Sequence, residues 1–332
     1  MEKANVNQDA NICILSVGDA HRKAPQYITK DEDRIVLKKI VETVVSDATI
    51  VGDNNDYHNL AATYAQLDDY ISAFDIVDKG LRQFPYDVDL LADAVRYGSK
   101  CGKIRESKSY LATLLSRPLE YWNWRTFTFV IDFYLLSITW EDPETIEITF
   151  QEALKIAKEY QKLNPTEERG FEAEAEIYLA SSDSEKALDT LKKAIYDLTP
   201  MLTPQCCIKY AEILANRGDF ENVIEVCNRG ILSTAQEQPT ARTGYFFYLS
   251  ALAKDALIHR TGNFTEEKDI LEVYTDYKVA YKLLKSTPTY INNIRVRVEI
   301  LAAKSGIPFD FDTNEKLERL ANLFSTDENE LA

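Results

Sequence analysis

From Tyr57 onward, apolar and small residues recur three and four positions apart. Tyr57, Leu60, Ala61 and Tyr64 form one run; after the polar pair Asp68-Asp69, a second takes in Tyr70, Ala73, Val77 and Gly80. Each run marks one face of an amphipathic helix, and the acidic break predicts a tight turn, so the segment reads as a helical hairpin. Pro85 closes it, because proline lacks the N–H that a continuing helix needs. Ala61 and Ala73 fall where two helices would cross, and a larger side chain there would overpack the contact.

The pattern returns at a period of about 34 residues. A second copy carries Leu91, Ala94, Val95, Gly98, Gly102, Ser107, Leu111 and Leu114 and closes near Pro118. A third opens with Trp124, Phe127 and Ile131, but its second helix arrives late, as Ala153, Ala157, Tyr160 and Pro165. This hairpin is therefore lengthened, with Trp140-Glu141-Asp142-Pro143 as its expected turn. The fourth copy (Phe171, Ala175, Tyr178, Ala187, Leu191, Ala194) is regular and closes at Thr199-Pro200. The fifth (Tyr210, Ala211, Leu214, Gly218, Phe220, Val223, Cys227, Gly230) turns at Asn216-Arg217-Gly218-Asp219-Phe220. Beyond Pro239, two long helices, at about 241–260 and 266–286, flank Thr261-Gly262-Asn263, and a last pair is expected at about 289–304 and 314–325. Ahead of the array, residues 31–47 read as a helix with Asp31-Glu32-Asp33 at its positive end and Ile35, Val36, Ile40 and Val44 on one face.

The segment 57–85 resembles a tetratricopeptide repeat: Tyr57, Leu60, Ala61, Tyr64, Ala73, Gly80 and Pro85 fill that family's aromatic, aliphatic, small and closing positions in register. The resemblance runs through 55–235 and more loosely through 240–325. It implies an all-α fold, a right-handed solenoid of about six to seven hairpins. Residues 31–54 would cap its start, 236–325 would continue and close it, 326–332 would form an acidic tail, and 1–30 stay unassigned. In this family the first helix of each hairpin lines a concave groove that holds a protein or peptide. Carried over, the groove positions include Arg96 and Lys100 on one helix and Trp122, Arg125, Phe129 and Phe133 on the next. Arginine and aromatic side chains are the usual anchors of interfaces, so this neighbourhood is the first candidate site, for a segment bearing a carboxylate and a bulky apolar group. A second patch comprises Tyr245 and Tyr248, with Lys254 and Arg260; at least two aromatics of Tyr245-Phe246-Phe247-Tyr248 are expected in the core. The lysine, asparagine and arginine set with which some relatives grip chaperone C-termini is not matched, since His58, Ala62, Asp93, Trp122 and Thr126 stand at those places.

Charge narrows the partner. With 54 acidic against 38 basic residues, the formal charge is −16. Such a surface repels phosphate backbones and anionic lipid, so neither nucleic acid nor a membrane is expected as the main partner. The cysteines (Cys13, Cys101, Cys206, Cys207, Cys227) are odd in number and lack C-x-x-C spacing, as in reduced cytoplasmic proteins. The apolar run Ile12–Val17 is too short for a signal peptide or a span.

The chemical motifs fail in detail. Gly98 to Lys103 has three residues between its glycines where a phosphate loop needs four, and Ile104 stands where that loop has Ser or Thr. The acidic runs 53–56 and 310–314 lack the glycine and glutamate of a calcium loop. His21, His58 and His259 show no zinc spacing. The expectation is a non-catalytic adaptor without cofactor or metal, which holds a protein or peptide in its groove within a larger complex. The alternatives are a peptide sensor whose superhelix changes curvature and, third, an enzyme on a helical toroid.

Overall fold

The computed structural model describes residues 31–46, 52–139, 143–197, 203–234 and 239–309. Among these residues the chain is all-α and falls into two compact units, 1–163 and 164–332. The expected turn at 140–143 lies largely outside the described residues. The close at 199–200, the helix at 314–325, the acidic tail and residues 1–30 lie wholly outside them.

Unit 1 opens with α1 (Asp31–Ser46), followed by three hairpins: α2 (Asn54–Gln66) with α3 (Tyr70–Gln83), α4 (Val88–Lys100) with α5 (Ile104–Leu115), and α6 (Trp124–Ser137) with α7 (Pro143–Leu163). A 3-10 turn, Leu119–Tyr121, leads into α6. The starts are written in the sequence as acids and an asparagine. Asp53, Asp69, Asp87 and Asn123 each accept a backbone N–H from the first turn of the following helix, satisfying a donor with no intrahelical partner. The extra length of the third hairpin lies in α7, of 21 residues. Its Tyr160 ring stacks on Phe127 with centroids 3.9 Å apart.

The buried face of α1 differs from the expectation. Leu37, Ile40, Val41 and Val44 are buried, whereas Ile35 is 68% and Val36 39% exposed. Positions 37, 40, 41 and 44 make the i, i+3, i+4, i+7 stripe, and residues 35 and 36 fall to its side.

Unit 2 contains α8 (Arg169–Ala180) with α9 (Ser184–Asp197), α10 (Pro204–Asn216) with α11 (Phe220–Thr234), α12 (Ala241–Thr261) with α13 (Glu267–Leu283), and α14 (Pro288–Ser305). A single core runs through it, from Phe171 and Leu191 through Cys206, Cys227 and Phe246 to Tyr277 and Leu301. One cap is supplied from the preceding hairpin. Thr203 makes no side-chain cap to α10; instead Glu168 accepts from the N–H groups of Gln205 (2.9 Å) and Cys206 (3.1 Å).

Within each unit the repeat is visible in the side-chain bonding. Asn123 donates to Asp89, 34 residues earlier, at 2.6 Å. The Tyr245 hydroxyl donates to Glu212, 33 residues earlier, at 2.8 Å, and Tyr110 to Asp78 across 32 residues. Equivalent helices of successive hairpins therefore lie side by side. The turn inside a hairpin is equally regular: Asp68, Gly102, Ser182 and Gly218 all take positive φ, so two copies place a residue with a Cβ where glycine is the relaxed choice.

The small residues sit at the crossings that the spacing assigns to them. Ala61, Ala73, Ala94, Ala187, Ala194 and Ala211 are fully buried. A Cβ added at Gly230 would collide with the ring of the buried Phe246. Replacing a helical glycine by alanine gains about 1 kcal/mol of propensity, while overpacking a tight contact costs about 1–3 kcal/mol. Gly230→Ala is therefore expected to destabilise unit 2, read as a lower urea midpoint; a midpoint unchanged or raised would refute the close crossing.

Candidate functional site

In unit 1 the first helices α2, α4 and α6 share one face, and at its centre lies Asp93 of α4, fully buried. His58 of α2 bonds through Nδ1 to Asp93 Oδ2, and Arg125 of α6 bonds through Nη1 to His58 Nε2 at 2.7 Å. The roles follow from the donors. A guanidinium cannot accept, so Nε2 accepts from Arg125, the ring is neutral, and the hydrogen sits on Nδ1, which donates to the carboxylate. Arg125 Nη2 lies 3.7 Å from Asp93 Oδ1, and that oxygen receives no hydrogen bond. Burial drives the Asp93 carboxyl pKa up; His58 and Arg125 oppose the rise, and Asp89 adds to it.

Arg96 projects from α4 beside this chain. Its guanidinium lies 4.2 Å from the centroid of Phe129, and Arg125 is 5.5 Å from the same ring, so two cations share one aromatic platform. Among the described residues no carboxylate lies within ion-pair distance of Arg96 or of the exposed Lys100. Lys100 is one helical turn from Arg96 but contributes no contact to the pair. The three aromatics of the predicted site sit deeper than the groove reading placed them: Trp122, Phe129 and Phe133 are 7%, 7% and 3% exposed. α6 is apolar on most sides and its bulky residues fill the third hairpin. Phe129 thus supports the arginines, and Trp122 and Phe133 belong to the packing. The indole Nε1 of Trp122 is buried without a hydrogen bond.

Sequence reasoning places His58 and Asp93 in the groove, where they fail to match a chaperone-gripping set, and assigns neither a role of its own. The signal was in the register: Asp93 stands 35 residues after His58, with Arg125 a further 32 on, so three successive repeats place a titratable or charged residue at nearly one position.

In unit 2 the second patch divides. Phe246 and Phe247 are buried, as is Tyr248, whereas Tyr245 is half-buried and packs with Tyr248 and Tyr290 at centroid distances of 6.0 and 5.3 Å. Its two cations are engaged elsewhere. Lys254 pairs with Asp276 (2.8 Å) and Arg260 with Glu221 (2.5 Å). A second buried carboxylate, Asp255 of α12, meets Tyr277 at 3.3 Å and Arg297 at 3.5 Å. His259 Nδ1 lies 2.9 Å from both its Oδ1 and its backbone carbonyl, and only the carbonyl is in line for a hydrogen bond.

For chemistry, the arrangement offers little. The His58 nitrogen that would act as a base is already occupied by Arg125, and burial pushes the Cys206, Cys207 and Cys227 thiols up, away from the reactive thiolate. Among the described residues no group of three or more His, Cys, Asp or Glu could hold a metal ion, and no helix is long and apolar enough to cross a membrane.

One carboxylate on the first-helix side of unit 2 is unbalanced. Burial, then the neighbouring Glu176 and Glu168, push the Glu172 carboxyl from 4.5 up to about 7, against the pull of Lys209 and Arg169. A raised folded-state pKa means that the fold holds this proton more tightly than the unfolded chain does. The resulting stabilisation is fully present below 4.5 and lost as pH rises through about 7. Glu172→Gln is expected to stabilise unit 2 by about 1 kcal/mol at pH 8, since solvent screens the half-exposed carboxylate, and by almost nothing at pH 5. Urea unfolding at the two pH values checks this, and equal effects would contradict it.

No protein-family model matches the sequence, and a search of curated proteins finds no match. Among solved structures, the chain is similar to TTC0263, a thermophilic TPR protein of Thermus thermophilus, with 19% identity over 62% of this chain and 99% of that one, at a TM-score of 0.44. It is also similar to human IFIT1, solved as a dimer with m7Gppp-AAAA, with 12% identity over 89% of this chain and 64% of that one, at a TM-score of 0.40. The TPR2AB domain of yeast Sti1, solved as its pHSP90 complex, aligns over 83% of this chain and 92% of that one with 17% identity and a TM-score of 0.31. Paired helices, small residues at their crossings and bonding between residues one repeat apart make the fold of this chain tetratricopeptide-like.

Proposed function

We propose that the protein is a non-catalytic binding module whose unit 1 receives, on the face shared by α2, α4 and α6, an acidic segment of a protein partner. The observation that carries this reading is the pairing of Arg96 and Arg125 over Phe129, with no carboxylate assigned to Arg96. In a chain of charge −16, an arginine left without an acid is a position where negative charge would be gained rather than merely exchanged. The Phe129 ring holds the Arg96 guanidinium in place beforehand, so little freedom of that side chain is lost when an anion arrives. Lys100, exposed one turn further along α4, would extend the same positive strip toward a second acid of the segment. The bulky apolar group first assigned to the partner has less support, because Trp122, Phe129 and Phe133 are buried.

The test uses a fluorescein-labelled acidic peptide with a free C-terminal carboxylate, with a single-stranded RNA of equal charge as competitor. Arg96→Glu is expected to weaken peptide binding by roughly 30-fold, in line with reversing one side of a close charge pair, while the helical circular dichroism spectrum stays unchanged. Equal affinity of the folded variant would dispose of the site, and stronger binding of the RNA than of the peptide would replace a protein partner by a nucleic acid.

A further inference from the structure

The chain Arg125–His58–Asp93 places a proton-binding nitrogen between a buried anion and one of the two arginines assigned above to the partner. We propose that His58 is a positioning residue operated by a proton: the neutral ring holds Arg125 back, the protonated ring releases it to an incoming anion, and binding of the anion is thereby coupled to uptake of one proton. This rests on the reading of the Arg96–Arg125 face as an anion site.

The argument begins with the lone pair. His58 Nε2 accepts from Arg125 Nη1 at 2.7 Å, and His58 Nδ1 donates to Asp93. Adding a proton to Nε2 sets an N–H against an N–H at that separation, and one of them must withdraw. The imidazolium cannot, because Asp93, buried and at the inner end of the chain, now pairs with a full positive charge. The guanidinium can: its side chain is 32% exposed and it approaches Asp93 Oδ1 only to 3.7 Å. It is already over the Phe129 ring that carries Arg96.

The charge balance points the same way. Neutral His58, ionised Asp93 and Arg125 sum to zero. Arg96 beside the chain adds one positive charge to that sum; protonation of His58 adds a second, which an anion held by both arginines offsets in a half-buried place where net charge is costly. The groups around His58 are few. From α4 it faces Asp93, with Asp89 one turn before and Arg96 three residues after; from α6 it faces Arg125. On its own helix Asp56 is occupied with the N–H of Gly52 at 2.9 Å. The other helices packed on α2 meet it elsewhere: α3 through Gln83, which donates to the Tyr57 hydroxyl at 2.7 Å, and α1 near Tyr64 and Leu67.

The test is made on the full chain labelled with 15N. At pH 8 long-range 1H–15N spectra of the imidazoles should show His58 with its hydrogen on Nδ1, the minor tautomer of free histidine, and the Arg125 Nε–H should be ordered. When the pH is lowered to 5.5, the heteronuclear NOE of Arg125 should fall while the backbone of α6 is unchanged. Sulfate, whose charge is constant over this range, is then titrated against the Arg96 and Arg125 Nε–H signals. Its affinity should rise up to about tenfold per pH unit on lowering the pH, the limit set by one linked proton, and His58→Gln should abolish that slope.

A hydrogen on Nε2 at pH 8, an Arg125 equally ordered at both pH values, or a slope retained in folded His58→Gln would overturn the proposal. Where that variant lacks the native helical spectrum, the wild-type ring and arginine signals decide alone. Sulfate that shifts neither arginine at any pH refutes the anion face. The tautomer and the release of Arg125 are read without sulfate, so the two failures are told apart.

Discussion

The constraint on which the structure rests is the distance between helices. Within each unit the helices of a hairpin bury one stripe against each other and another against the neighbouring hairpin, so a first helix must meet neighbours on several sides at once. This is possible only where side chains are absent. At Gly98 an added Cβ would come within 2.8 Å of the Phe74 ring, and at Gly80 within 2.8 Å of Tyr57. Small residues set the approach, large ones such as Phe74, Tyr97 and Phe246 fill what remains, and the repeat length follows from returning to the same crossing each time.

Close approach has an electrostatic consequence. Helices near enough for backbone-level contact bring polar residues one repeat apart into hydrogen-bond range, and those that lose water there must find a partner. Most are matched: Asn123 with Asp89, Tyr245 with Glu212, Lys209 with Glu176. Asp93 and Asp255 are the exceptions, each fully buried, each facing a histidine and an arginine, and each with an oxygen that receives no hydrogen bond. A buried carboxylate in that condition draws its partners toward it, which fixes His58 and gives Arg125 its resting place.

Function then turns on what the framework leaves over. In unit 1 Asp53, Asp69 and Asp87 cap helices and Asp89 bridges two hairpins, while Arg96 is left on an aromatic ring without an acid. A cation that rests on a ring and has no acid of its own keeps its charge unmatched. The aromatic residues beside it have the opposite status: their hydrophobic area is already covered inside the hairpin.

The hairpins, the turns at Asp68 and Gly218, the capping aspartates and the lengthened third copy are local in origin and could be read from spacing, because helix periodicity and capping involve residues only a few positions apart. The face of α1 was misread for a related reason: four apolar residues fit two overlapping stripes, and only the packing on its neighbours selects Leu37 and Val41 over Ile35 and Val36. Tertiary structure alone decided the status of the site. Trp122, Phe129 and Phe133 look alike as groove or core in a sequence, since a helix apolar on most sides gives no direction. Asp93 and His58 are 35 residues apart and acquire meaning only when two helices come within hydrogen-bond range. Periodicity determines which residues share a helix face; the contact between helices determines which of those faces is covered and which charges it leaves unmatched.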